Sequence, residues 1–200
     1  MRHRTETAKA GHNGPRHKCR LYKKYIPEYA KLQKKYPLDA ARLVHKESRD
    51  IASQLLIRAV EQKRHFVLES TFASAKRSEK LIERLIVSGY FLHLYIADVP
   101  VELAIRRSDQ RGKRTGRFVP HAVIRKTHRL VPRTFRSLKD QVDRYYVFSN
   151  QAELKLIASK YSIREPHLYN LFLKKGGSPY RILFEGREHC AEVTLLPDPD

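Results

Sequence analysis

Cysteine is scarce: Cys19 and Cys190 are the only two, far apart, and neither belongs to a CxxC pair. That argues against a disulfide scaffold and a cysteine-built zinc site, and it suits a reducing, cytoplasmic setting. Long apolar runs are also missing. None approaches the ~18–20 residues of a membrane helix, so an integral membrane protein is not expected. The opening MRHRTETAKAGHNG is basic but has no apolar stretch behind it, so no secretory leader is expected. The ten histidines form no HxxxH or HExxH pair, which argues against a side-chain metal site. Acidic residues are few as well, 21 against 41 Lys and Arg, leaving a net charge of +20 on 200 residues.

What is present suits a folded domain. At 41% hydrophobic residues the chain can bury a core, and its length fits one domain with an appendage. The positive charge is uneven. Residues 1–50 hold 14 Lys/Arg against 5 Asp/Glu and residues 101–150 hold 13 against 4, whereas the other two quarters are close to balanced. Nucleic acid, nucleotide phosphates or an acidic protein would each be drawn to such a surface, and charge alone does not choose among them.

Residues 1–19 are rich in His, Lys, Arg, Gly and Pro without apolar periodicity and are expected to be disordered. A short helix or turn region from Leu21 ends at the Tyr36-Pro37 step. Asp39 then N-caps a long helix reaching about Lys63, with Leu43, Val44, Ile51, Leu55, Leu56, Ala59 and Val60 at three- and four-residue spacing. His65-Phe66-Val67-Leu68 reads as a buried strand, a helix follows from about Ser74 to Ser88 with Gly89 as its C-terminal stop, and residues 90–97 read as a second strand. Strand, helix, strand is a βαβ unit, which implies a parallel sheet covered by helices. Pro100-Val101-Glu102 starts another helix that runs into a basic loop at 111–117, and Pro120 sits in the first turn of the next. Tyr145-Tyr146-Val147-Phe148 is a third strand for that sheet. Beyond 150 the pattern weakens to a short helix near 151–159, an amphipathic piece near 166–174, and two strands near 182–185 and 192–196.

Two constellations could carry chemistry. Glu69-Ser70-Thr71 closes the first strand, where open parallel sheets bind ligands. A carboxylate and hydroxyls there can grip a polar substrate; equally, Ser70 or Thr71 can cap the next helix. The run Arg111-Gly112-Lys113-Arg114-Thr115-Gly116-Arg117 sets four cations within seven residues, with glycines for flexibility. Such a loop can fold over a nucleotide and neutralise a transferring phosphoryl group, or it can meet a nucleic-acid backbone. The tyrosines at 22, 25, 29 and 36, interleaved with lysines, suit either a stacking surface or the packing of a small helical element.

The run RHFVLESTFASAKRSEKLIERLIVSGYFLHLYIADVPVELAIRRSDQRGKRTGRFVP resembles the zeta-toxin family of P-loop kinases. That family shows a strand ending in E-G-T, a helix, a G-Y leading into a strand, a P-x-E-L helix start, and two arginines, the second in an R-x-x-P context. Upstream, Tyr25-Ile26-Pro27-Glu28-Tyr29 resembles the family's Y-H-P-x-Y segment, and the parts occur in family order over about residues 22–150. The resemblance implies a three-layer α/β, P-loop-kinase-like fold whose N-terminal βα unit is cut short, with residues 20–150 as the kinase domain and 151–200 as an extension. It implies ATP and Mg²⁺ as cofactors and phosphoryl transfer to a sugar nucleotide of the UDP-N-acetylglucosamine type. Glu69 and Thr71 would then fall in the sugar-nucleotide pocket. Arg111 and Arg117 would be the two catalytic, phosphate-binding arginines, with Arg114 beside them. An acidic antitoxin is the implied protein partner.

The departures bear on catalysis. A P-loop needs GxxxxGK[ST] so that its amides and lysine cradle the phosphates, and this sequence contains none. Ala10-Gly11-His12-Asn13-Gly14 is similar to the A-G-P-N-G opening of some family P-loops, but Pro15-Arg16-His17-Lys18 follows. Arg20 and Leu21 stand where the family's catalytic Asp is expected, Ile26 replaces its histidine, and Ser70 replaces the glycine of E-G-T. A kinase-family member with impaired or absent activity is therefore expected. The alternative is a basic module, without chemistry, for nucleic acid or an acidic partner.

Overall fold

The structure, a computed structural model, describes residues 16–17, 22–36, 39–115, 118–177, 180–184 and 193–197. It divides into two compact units, Met1–Ser70 and Thr71–Asp200.

The first unit is mainly helical. After a single 3₁₀ turn at Lys23–Tyr25 come α1 (Tyr29–Lys35), α2 (Ala40–Leu43) and α3 (His45–Glu61). The helix expected from Asp39 to Lys63 is thus interrupted at Val44. Ser48 Oγ donates to the His45 carbonyl at 3.0 Å, a side-chain bond that competes with the backbone ladder and bends helices. Asp39 precedes α2 but makes no capping bond; its carboxylate instead accepts from Arg42 Nε at 2.9 Å. Two short strands, β1 (Arg16–His17) and β2 (Val67–Leu68), pair in parallel. The strand expected at 65–69 is therefore shorter and hydrogen-bonds to Arg16–His17, not to the strand at 93–98. The rest of the segment 1–19, including Ala10–Gly14, lies outside the described residues, as do Arg20 and Leu21.

The second unit holds the main sheet. Helix α4 (Ala75–Val87) leads to β3 (His93–Asp98), α5 (Val101–Thr115), α6 (His121–Leu138), β4 (Arg144–Asn150), β5 (Leu154–Ser159), β6 (Ser162–Ile163) and α7 (Pro166–Lys174). A separate antiparallel pair, β7 (Tyr180–Phe184) and β8 (Val193–Pro197), follows close to the two strands expected there. The sheet order is β3-β4-β5-β6. β3 and β4 are parallel in the register His93↔Arg144 to Asp98↔Ser149, whereas β5 and β6 join antiparallel. The helix expected near 151–159 is instead strand β5. Beside β4, the chain gains a ladder of backbone bonds and buries Ile157 and Ala158, which outweighs weak local preference.

Helix ends follow from local chemistry. α4 stops at Gly89, whose φ of +79° is accessible without strain only to glycine. The Gly89 N–H reaches the Ile86 carbonyl at 2.9 Å and the Tyr90 N–H the Leu85 carbonyl at 3.0 Å, the paired bonds of a Schellman stop. The core lies on one face of the sheet. Ile96, Tyr145, Val147 and Ile157 meet Ile82 of α4, Phe135 and Leu138 of α6, and Tyr169, Phe172 and Leu173 of α7. Phe135 is fully buried and meets Tyr145 and Phe172 edge to face. Among the described residues, no helix is long and apolar enough to cross a membrane.

Candidate functional site

The carboxyl ends of parallel strands are where an α/β sheet presents polar groups to ligands. In the second unit that position belongs to Asp98, the last residue of β3, and its register partner Ser149 on β4. A cavity of about 420 Å³ opens there. Asp98, Ser149, Gln151, Lys174 and Lys175 form its polar wall, and Ile157, Leu168 and Leu171 are among its apolar lining. Lys175 Nζ donates to Asp98 Oδ2 at 2.6 Å and to the Val99 carbonyl at 2.8 Å. Burial first, and the Lys175 ammonium second, hold the His128 imidazole below its ordinary pKa, while Asp98 opposes them. The lowered pKa favours a neutral His128 near physiological pH.

Helix α5 carries the arginines. The Arg107 guanidinium donates to the carbonyls of Asn150 and Gln151 at 2.8 and 2.9 Å, locking the helix to the turn after β4. One helical turn further on, Arg111 is half-buried; among the described residues its enclosed Nε has no hydrogen-bond partner, and Nη2 makes a long 3.4 Å contact to Ser108 Oγ. An enclosed guanidinium N–H without an acceptor is costly, and a phosphate oxygen would satisfy it. Lys113 and Arg114 are exposed in the last turn of the same helix. Arg117 lies outside the described residues.

The basic loop expected at 111–117 is therefore helical as far as Thr115, whose hydroxyl donates back to the Arg111 carbonyl at 2.7 Å. Lys and Arg are good helix formers, and tertiary packing carries the helix through Gly112. That glycine serves close approach, not flexibility: a Cβ there would stand 2.7 Å from the Phe118 ring. The Glu102–Arg125 ion pair (2.6 Å) and a hydrogen bond between His121 Nε2 and the Asp109 carboxylate (3.0 Å) then tie α5 to α6.

The other expected site residues flank the boundary in the chain between Ser70 and Thr71. Glu69 follows β2 directly, Thr71 opens the second unit, and both side chains are exposed. Neither Ser70 nor Thr71 caps the next helix, because Ser74 occupies that position. Ile26, at the place of the family histidine, is buried in the first unit, where an imidazole would lose its solvation. Of the interleaved tyrosines, Tyr25 and Tyr36 are exposed with a neighbouring lysine over each ring, at 4.8 and 5.2 Å.

The family model for "Zeta toxin" matches residues 19–162. The chain belongs to the zeta toxin family. Its fold is the α/β, P-loop-kinase-like one that membership implies, with helices packed against a four-stranded sheet. Among solved structures, it is similar to a chain from the PezAT chromosomal toxin–antitoxin system of the human pathogen Streptococcus pneumoniae. The TM-score is 0.60 at 12% identity, over 81% of this chain and 74% of that one. No curated protein sequence matches the chain.

The zeta-toxin motifs led to Arg111 but not to Asp98, Arg107, His128, Ser149 or Lys175. Asp98 and Ser149 carried a usable signal, since each is a polar residue closing an apolar strand run. Lys175 carried none, because it reaches Asp98 from 77 residues away.

Proposed function

We propose that this zeta-toxin-family chain binds the phosphates of a nucleotide along α5 and transfers phosphate poorly or not at all. The observation that carries the reading is the enclosed Nε of Arg111, without an acceptor among the described residues, one turn from the Arg107 anchor. Arg111 is the first phosphate ligand, Arg114 and Arg117 supply further positive charge, and Glu69 and Thr71 contact the acceptor. By family resemblance the donor is ATP with Mg²⁺ and the acceptor a sugar nucleotide of the UDP-N-acetylglucosamine type.

The residues fit these ligands unequally. An arginine with an unused donor fits a phosphate. The lysine and hydroxyl of GxxxxGK[ST], which would hold the triphosphate and its magnesium, have no counterpart in the sequence. Bound ATP would supply the transferable phosphoryl group. Arg111 would orient that group and offset its charge, but no carboxylate stands at the family base position to take the acceptor's proton.

Calorimetric titration of the full chain with ATP, beside a turnover assay with UDP-N-acetylglucosamine and Mg²⁺, tests both halves. ATP should bind, Arg111→Ala should weaken it by about tenfold or more, the usual value of a charged hydrogen bond, and turnover should be negligible. ATP affinity indifferent to Arg111→Ala overturns the phosphate role; brisk phosphorylation overturns the impairment.

The exposed Lys113 and Arg114 favour one second reading, a basic face for an acidic antitoxin-like protein or for nucleic acid. Co-purification of an acidic protein, lost on Lys113→Glu with Arg114→Glu, would support it over the nucleotide reading.

A further inference from the structure

The core takes one face of the β3–β4 pair; the opposite face carries rings. Alternation along β3 places His93 and Tyr95 on that face, with Phe91 just before the strand, and the parallel register sets Tyr146 and Phe148 of β4 beside them. The rings form a continuous series. Phe91 meets His93 edge-on at 5.2 Å, His93 stacks on Tyr95 at 6.2 Å, and Tyr95 stacks on both Tyr146 (5.0 Å) and Phe148 (6.5 Å). Phe91 and Tyr95 are 62% and 59% exposed, so this series is not core. A cation stands on it as well, the Arg144 guanidinium at 5.9 Å from the Phe91 ring centre.

We infer that this aromatic sheet face is a stacking platform for single-stranded nucleic acid. Exposed aromatic rings accompanied by cations are what unpaired bases and their phosphates require, since every base offers a π-face and every linkage a negative charge. The chain's net charge of +20 supplies the attraction, and Arg144 is placed to meet a phosphate or to stack with a base. Rings on alternate residues of β3 stand about 6.8 Å apart along the strand, twice the ~3.4 Å step of a stacked nucleotide strand. The bases must therefore be splayed, which a single strand permits and a duplex does not. Burial and the neighbouring Tyr146 raise the pKa of the Tyr95 phenol, so it brings no negative charge against the phosphates. The site is distinct from the α5 arginines and does not rest on the nucleotide reading.

The test is fluorescence anisotropy of the full chain with a labelled oligouridylate, its oligothymidylate counterpart and a duplex of the same length. Single strands should bind more tightly than the duplex at equal salt. Tyr95→Ala should weaken single-strand binding by about tenfold or more while leaving the duplex unaffected, and Tyr95→Phe should retain it. Circular dichroism confirms that the variants fold, and Phe91→Ala, further from the sheet core, repeats the test if Tyr95→Ala does not. A preference for uridylate over thymidylate, or the reverse, reports how the sugar and the base methyl together meet the face, and both support the platform. Equal affinity for duplex and single strand, or single-strand binding unchanged by Tyr95→Ala and Phe91→Ala, overturns it. So does a dimer in light scattering that Tyr95→Ala dissociates, because the rings would then belong to a contact between copies.

Discussion

Lys175→Met removes one charge from the most enclosed ion pair described in the second unit, and its cost can be worked from the geometry. The Lys175 and Asp98 side chains are 24% and 17% exposed, and the pair closes at 2.6 Å. A fully buried pair broken from one side costs about 3–5 kcal/mol, because the remaining charge is left without compensation. A solvent-exposed pair is worth about 0–1 kcal/mol. With water reaching about a fifth of each side chain, the pair falls between, near 2 kcal/mol on these scales. Loss of the 2.8 Å bond to the Val99 carbonyl adds about 1 kcal/mol, while methionine keeps the aliphatic stem in place. Urea unfolding should therefore show Lys175→Met destabilised by about 2–3 kcal/mol. Asp98→Asn should cost less, since the amide oxygen still accepts from Lys175. In the double variant the penalties should fall short of their sum by about 1–2 kcal/mol. A Lys175→Met cost within about 0.5 kcal/mol of zero, or strictly additive penalties, would refute the view that this pair closes the cavity wall.

His128 gives a pH signature. Its folded pKa lies below the ordinary 6.5, so as pH falls the unfolded chain takes up the proton first. This contribution to stability is fully present above about pH 7 and declines from near pH 6.5 down through the lowered folded value. His128→Gln should shrink the loss of unfolding free energy between about pH 7.5 and 5.5, and an unchanged loss would show that other groups cause it. Gly112→Val should destabilise the chain by about 1–3 kcal/mol through collision with the Phe118 ring. Adding Phe118→Ala should recover most of that, and equal penalties with and without the ring would refute the close-approach role of Gly112.

The elements legible in the sequence were those whose burial leaves a local period. α4 shows apolar residues at helical spacing and a glycine stop, and β3 and β4 stand out as short, near-continuous apolar runs. The failures share a cause, which is that distant partners decided them. Residues 154–159 are a strand because β4 offers a hydrogen-bonding edge, not because their own pattern demands one. Residues 111–115 are helical because Ile105, Ser108 and Gly112 form one buried face, and Phe118 folds back onto that glycine. α6 contains the buried Pro132, normally a stop signal, yet it continues to Leu138 because Phe135 and Leu138 anchor it in the core.

The charge is best understood in the same way, by asking what each cation faces. Arg107, Arg133 and Arg136 give donors to backbone carbonyls, of Asn150 and Gln151, of Gly176, and of Leu173, so their charge is used to hold elements together. Arg125 is spent on Glu102. Arg111 differs, with an enclosed donor that meets no acceptor among the described residues, and Lys113 and Arg114 are exposed in the following turn. Seven of the 13 cations in residues 101–150 thus fall into a structural group of four and a group of three at the end of α5 whose chemistry still wants an anion. Membership of the zeta toxin family agrees with the nucleotide phosphate proposed above as that anion. On that proposal, a sequence without the P-loop lysine and without a carboxylate at the family base position separates binding the anion from transferring it.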